Sequence, residues 1–466
     1  MKLQISKNAN VNYLSKVVDI QEFVKHPDPK VERIKCAVVD GFIITVGIDS
    51  QPGLYIYFPV LSQINPSLLQ YLNLYRNKDK NKDPEKTGYF EDKGIVKAIN
   101  LRGVKSEGFL MPLCDLQNFI VESVNVELPN PEPNIEFDEV EHAGKVFWIS
   151  QKYVAPVQRT PGTSGSPKEK KKKKGLNKII DEQFRFHYDT TLIKKCPHVI
   201  HPEDLIHISS KWHGTSGISA YVLCHKKLTW KEKIAKWLTK WPFDIYDHVY
   251  ASRTVIKNQY YNKDVTSGYY GCDVWQYADE YIKPFLDKGM TAYYEIVGYL
   301  PNGGWIQKNY DYGCEPPVQV VDPETGQNVI QYKQGKQFKV LVYRLTLTNV
   351  DGKVHEFSAR EVQQWCKNRG ILCAIEYYYG YAKDLYYEMI YPDEHWSENF
   401  LQMLANDKSF NMEQDSPECN NKVPHEGLVI KIENMKSEAF KLKCFKFLGL
   451  EQDAALAGES NIEDNS

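Results

Sequence analysis

Short runs of β-branched and aromatic residues, broken every few positions by Gly, Pro or charged turns, fill the first 150 residues. Residues 38–46 and 54–58 are two such runs, and each predicts a strand. Residues 95–101 lead through Arg102-Gly103 into 106–111, a strand–turn–strand pattern. Several short strands at this spacing predict a small barrel or sandwich. Residues 62–93 are polar and rich in Lys and Asn, and read as a helix with a mobile loop. From about residue 179 strands and helices alternate. Strands are expected at 222–224, 292–298, 339–347, 427–432 and 440–444, whereas 359–369 and 396–406 carry helical spacing. That pattern is α+β with an antiparallel sheet core. No internal repeat interrupts it.

Between these halves the pattern lapses. Pro156, Pro161, Gly162, Gly165 and Pro167 sit among Ser and Thr, and the lysine-rich run 168–174 follows. Such a stretch cannot bury a core, so 154–178 reads as an exposed linker. Its lysines are a solvated connector, or they raise the on-rate for a polyanion without adding chemistry. The tail 451–466 is acidic and rich in small residues, and is expected to fray. The expected plan is therefore a strand-rich domain over 1–153, the linker, a second domain over 179–450, and the tail.

Composition narrows the class. A chain of 466 residues exceeds one compact core, and 42% hydrophobic with 25% charged residues excludes collagen-like, coiled-coil and wholly disordered proteins. No run approaches the ~18 apolar residues of a membrane helix, and the N-terminus lacks a signal-like apolar stretch. The expectation is a cytoplasmic protein (in the host cell if the source is viral) with no membrane partner. The ten cysteines include no Cys-x-x-Cys pair; the closest, Cys366 and Cys373, are expected to be free thiols like the rest. A net charge of −2 means that any polyanion site must come from local clustering.

Five features carry chemistry. Lys211-Trp-His-Gly-Thr-Ser216 delivers a lysine to a glycine turn followed by hydroxyls. A lysine is nucleophilic only when neutral, and its free pKa of about 10.4 must be lowered by burial or neighbouring cations. Ser252-Arg253-Thr254 adds an arginine, and Tyr294-Glu295 and Glu426-Gly-Leu-Val-Ile-Lys431 each add a carboxylate beside a strand. Phe440-Lys441-Leu-Lys443 places two lysines on one strand face. Each alone has an ordinary explanation as a strand-edge acid, a paired arginine or a solvated lysine face. Their order along the chain is what singles them out.

In that order the set resembles the covalent nucleotidyltransferase superfamily of polynucleotide ligases and RNA capping enzymes, and the Lys-x-His-Gly-Thr-Ser form looks like the ATP-dependent RNA ligases. Tyr57-Phe-Pro and the segment 101–113 are similar to the OB-fold module that precedes the catalytic domain in one RNA ligase branch. The resemblance spans residues 1–450. It implies an N-terminal OB-like β-barrel followed by an antiparallel-sheet nucleotidyltransferase domain. It also implies that Lys211 attacks the α-phosphorus of ATP, with Gly214 shaping the turn and Thr215 and Ser216 near the nucleotide. Arg253 would contact ribose or phosphates, Tyr343 would stack on adenine, and Lys441 and Lys443 would neutralise the α-phosphate. Glu295 would hold the ribose or the water around a Mg²⁺ or Mn²⁺ ion that Glu426 helps to bind. The AMP would pass to an RNA 5′-phosphate end, and a 3′-hydroxyl would then expel it.

His213 departs from the aspartate found at that position in many relatives, so its part in the metal shell is a second-rank expectation. Arg102 and Lys105 are candidates for an RNA-binding face, or they merely close a hairpin. Cys196, His198, His201 and His207 match no common zinc spacing and are broken by Pro197 and Pro202. The 31 tyrosines serve packing or base stacking. A monomer is expected, with a possible partner that heals RNA ends. A DNA ligase, a GTP-using capping enzyme and an inactive nucleic-acid-binding relative share parts of the pattern. Capping is disfavoured because the extra module precedes the lysine, and inactivity because no expected residue is missing.

Overall fold

The computed structural model describes residues 2–7, 9–154, 179–188, 190–225, 228–239, 244–258, 260, 270–321, 326–386, 395–433 and 438–458. The lysine-rich stretch 168–174 and nearly all of the expected linker lie outside them.

The N-terminal strands pair into small antiparallel sheets and, among the described residues, form no closed barrel. A four-stranded sheet runs in the order Phe109–Pro112, Gly53–Phe58, Ser15–Ile20, Glu136–Phe137. Around it lie two three-stranded sheets and the hairpin Ala98–Leu101/Val104–Glu107. Two local turns explain why predicted runs are divided. The run 38–46 folds back at Asp40-Gly41 to make the hairpin Ile34–Val39/Phe42–Gly47, with Asp40 at φ 51°. The run 106–111 breaks at Gly108 (φ 137°), where a Cβ would lie 2.3 Å from the Tyr57 ring. The polar excursion contains the helix Pro66–Tyr71, capped by Asn65.

The second half is built on two antiparallel sheets. Its elements in chain order are β1 (Leu205–Lys211), β2 (Thr215–His225), α1 (Trp230–Thr239), β3 (Asp244–Ser252), α2 (Val274–Ile282), β4 (Met290–Gly298) and β5 (Phe338–Thr348). They continue with α3 (Ala359–Arg369), β6 (Glu376–Tyr381), α4 (Trp396–Asn406), β7 (Gly427–Ile432), β8 (Glu438–Lys443) and α5 (Phe445–Ala457). One sheet has the order β8-β7-β1-β6, with Thr191–Leu192 parallel on its β8 edge. The other has the order β3-β2-β4-β5, extended by Val354–Glu356. Helices α3 and α4 occupy the predicted spans. Ser358 and Glu361 form a capping box at the start of α3, and Gly370 ends it in the left-handed conformation.

Alternation assigns the faces of the first sheet. Ile206, Ile208, Leu428, Ile430, Ile432, Phe440 and Leu442 are buried against Trp396, Phe400 and Leu404 of α4. The opposite face carries His207, Ser209 and Lys211 of β1, Val429 and Lys431 of β7, and Lys441 of β8. The tail does not fray at Glu451. α5 continues to Ala457, because its Gln452 accepts from Ala98 N (2.7 Å) and Glu451 pairs with Lys443. The two halves also meet through ion pairs between Lys194 and Glu107 and between Lys195 and Glu136 (2.6 Å).

Candidate functional site

The polar face of the first sheet and the β2-β4-β5 edge of the second enclose a cleft of about 1140 Å³ that opens to solvent. Lys211, Ser216, Arg253, Glu295, Tyr343 and Lys441, named from the sequence, all line it. Lys211 is the last residue of β1, at the point where the chain crosses from one sheet to the other. Its Nζ donates to Glu426 Oε1 at 2.6 Å, with side-chain exposures of 17% and 1%. The nucleophile candidate is therefore screened from bulk water and held by a buried carboxylate. The sequence led to an expectation of cations beside it; the structure also sets an acid, Glu426, against it.

Register explains why lysine, acid and glycine recur together. Lys211 pairs with Gly427, and Gly427 with Lys443, so one row crosses β1, β7 and β8 directly after Glu426. At Gly427 (φ 142°) a Cβ would sit 2.1 Å from the Leu442 carbonyl oxygen, so only glycine lets these strands approach. Gly214 has a similar cause: a Cβ there would lie 2.3 Å from Ile296 O and 2.9 Å from Glu295 Cγ. The turn glycine thus admits β4 and its glutamate. Thr215 is buried opposite Ile296, and Ser216, opposite Glu295, donates to Glu295 Oε2 at 3.3 Å.

Tyr343 rests beside the His187 ring (5.6 Å between centroids). Burial, with the Glu295 charge adding to it, holds its phenol far above the ordinary range, so it stays protonated. Arg344 forms a two-point ion pair with Glu356 (2.7 and 2.8 Å) and covers the Tyr188 and Tyr293 rings. His207 is pushed down to about 4, first by burial, with the Lys431 and Arg360 charges adding to it. It is a neutral ring at pH 7.

Other expected residues are placed elsewhere. Lys443 shares the strand face of Lys441 but makes a two-point ion pair with Glu451 (both 2.7 Å) and lies over the Phe447 ring. His213 is boxed by Tyr310 and Phe447 (both 5.0 Å, edge-on) and is not among the cleft-lining residues. Arg102 occupies the hairpin turn at φ 53°, and Lys105 reaches Glu413 (3.4 Å) in the other half of the molecule. His198 lies by Glu398 and His207 by Glu376 (both 3.4 Å), so these two serve different neighbourhoods. Lys431, His207 and the Arg344–Glu356 pair carried no expected role yet line the cleft. Period two along β7 and β1 points to the first two; nothing local marks the third.

Among the described residues no three ligating side chains gather around one point. Glu295 and Glu426 still suit a hard divalent ion of the kind that takes one or two carboxylates and completes its shell with phosphates and water.

No protein-family model and no curated protein matches the chain. Solved structures do. A variant of Naegleria gruberi RNA ligase in its apo form aligns with a TM-score of 0.51 at 14% identity, covering 95% of this chain and 99% of that one. The same ligase with PPi aligns at 0.50 and 14%, covering 95% and 100%. A third structure, of a variant with ATP and Mn, has a TM-score of 0.49 at 14% identity, covering 97% and 100%. The chain has the fold of that RNA ligase.

Proposed function

We propose that this chain is an ATP-dependent RNA ligase that joins 5′-phosphate and 3′-hydroxyl ends through a lysyl-AMP intermediate. The observation that carries the reading is Lys211, mostly buried and 2.6 Å from Glu426, in a cleft that Arg253, Lys431 and Lys441 make cationic. In-line phosphoryl transfer needs positioning and charge neutralisation above all, and these side chains supply both. The shared fold, and the PPi held by the Naegleria ligase, agree with a reaction that releases pyrophosphate.

Three steps balance on these residues. Lys211 Nζ, having lost a proton, forms a bond to the α-phosphorus of ATP as the bond to pyrophosphate breaks. A 5′-phosphate oxygen then takes the AMP from the lysine, which regains its proton. The RNA 3′-hydroxyl finally attacks the activated 5′-phosphorus and AMP leaves. Lys211 Nζ donates to Glu426 Oε1, so its attack requires that hydrogen bond to be given up. A Mg²⁺ or Mn²⁺ ion held by Glu295, Glu426 and the phosphates would supply charge neutralisation there. Arg253, Lys431 and Lys441 face the phosphates, and Tyr343 with His187 forms the aromatic side of the cleft against the adenine. The N-terminal strands act as an OB-like RNA module, Arg102 on its exposed rim. A monomer in the cytoplasm, with a separate activity that heals ends, completes the reading.

Incubation with α-labelled ATP followed by intact mass measurement tests it. Wild type is expected to carry one AMP, and Lys211→Ala none. Absence of the adduct on wild type, or its persistence on Lys211→Ala, would refute the assignment. Sealing of matched nicked RNA, DNA and hybrid duplexes, with ATP or GTP, separates an RNA ligase from a DNA ligase or capping enzyme.

A further inference from the structure

We infer that α1 is an interfacial anchor that seats this protein on an anionic lipid surface. The inference lies beyond ligation and does not depend on it. α1 is inserted in the hairpin that joins β2 to β3. Gly217 pairs with Ser252 at the cleft end of that hairpin, and His225 with Asp244 at the other. The ten residues from Ser216 to His225 span roughly 30 Å of strand, so the hairpin end from which the helix is inserted lies far from the cleft end.

The helix turns its apolar residues outward. Trp230, Ile234, Trp237 and Leu238 are 68%, 48%, 79% and 68% exposed. Their spacing of i, i+4, i+7 and i+8 makes one continuous stripe, which a helix in a soluble domain ordinarily packs onto the core. Local capping establishes the helix: Glu232 Oε2 accepts from both Thr229 N and Thr229 Oγ1 at 2.9 Å.

Charge identifies the occupant. In sequence the helix carries Lys231, Lys233 and Lys236 against Glu232 alone. At 100° per residue, positions 231 and 233 fall on the two flanks of the apolar stripe. That is the arrangement of an in-plane membrane helix, whose lysines reach back to lipid phosphates while Trp and Leu enter the acyl boundary. The chain as a whole is at −2, so this basic cluster is local. A single-stranded RNA platform suits the stripe less well, because bases stack on separate aromatic rings and Ile234 and Leu238 offer no such face. Among the described residues no helix is long and apolar enough to cross a membrane, and an in-plane helix needs no such length.

The experiment is co-sedimentation of the full chain with vesicles of phosphatidylcholine and phosphatidylserine, or of phosphatidylcholine alone, without ATP or RNA. Wild type is expected to pellet with the anionic vesicles and to release at high salt. Trp237→Glu/Leu238→Glu is expected to lower partitioning by roughly tenfold or more at unchanged melting temperature and unchanged AMP-adduct yield. The inference is overturned if wild type stays in the supernatant with anionic vesicles, or if the variant pellets as well as wild type. It is equally overturned if the variant loses affinity for nicked RNA while neither protein binds vesicles.

Discussion

At the scale of single residues, what a side chain touches decides its charge state. Lys211 and Lys443 sit in one row across the same sheet, yet each is engaged by a different carboxylate, Glu426 or Glu451. Asp279 shows the same dependence away from the cleft. Ser219 Oγ donates to it at 2.7 Å, but burial outweighs that bond and raises the carboxyl to about 6. Its folded-state value stands above the 3.8 of the free group, so folding favours the protonated acid. The benefit is fully present below about pH 4 and is lost as pH rises through about 6. Asp279→Asn is therefore expected to raise unfolding free energy at pH 8 by up to about 3 kcal/mol, and little at pH 4. Urea titrations at the two pH values check this; a larger gain at the lower pH would reverse the assignment.

At the scale of elements, α5 joins two parts that the sequence presents separately. Glu451, near its middle, grips Lys443, and the next residue, Gln452, takes the Ala98 N–H of the N-terminal hairpin. One turn further on, the Ala455 and Leu456 carbonyls accept from Lys93. The helix thus links Lys443, in the same strand row as Lys211, to the domain proposed to bind RNA. Lys443 and Glu451 are both about nine-tenths buried, so removing one charge takes a buried ion-pair partner from the other. Glu451→Gln is expected to cost roughly 3 kcal/mol of stability and to lower the rate of AMP-adduct formation several-fold. Glu451→Asp should restore part of each. Thermal melts with single-turnover adenylation measure both, and an unchanged adenylation rate in Glu451→Gln would remove Lys443 from the chemistry.

At the scale of the whole molecule, the halves are bonded across a charged interface. Lys194 meets Glu107, 14% and 7% exposed, and Gly41 N donates to the Lys194 carbonyl at 2.7 Å. A Cβ on Gly41 would lie 2.9 Å from Lys194 Cα, so the hairpin tip fits against this segment closely. Glu107→Gln strands a buried ammonium, and a loss of about 3 kcal/mol is expected. The double variant Glu107→Gln/Lys194→Met should recover most of it. Denaturant unfolding of the four proteins in this cycle tests the coupling; additive losses would show that the pair does not tie the halves together.

The second half was largely readable along the chain, because alternation and helical period record burial directly: α3, α4 and β7 coincide with their patterns. Lys211, Ser216, Arg253, Glu295, Tyr343 and Lys441, which line the cleft, were named from their order along the chain and the resemblance it carries; strand period two by itself bore only on the shared face of Lys441 and Lys443. Local pattern could not convey which strands would neighbour one another. The pairing of Lys211 with Glu426, the diversion of Lys443 to Glu451, the enclosure of His213 by aromatic rings and the reach of Lys105 to Glu413 all join residues far apart in the chain. Each follows from sheet register and domain packing. Those are contacts between distant segments, and no local pattern in the chain encodes them.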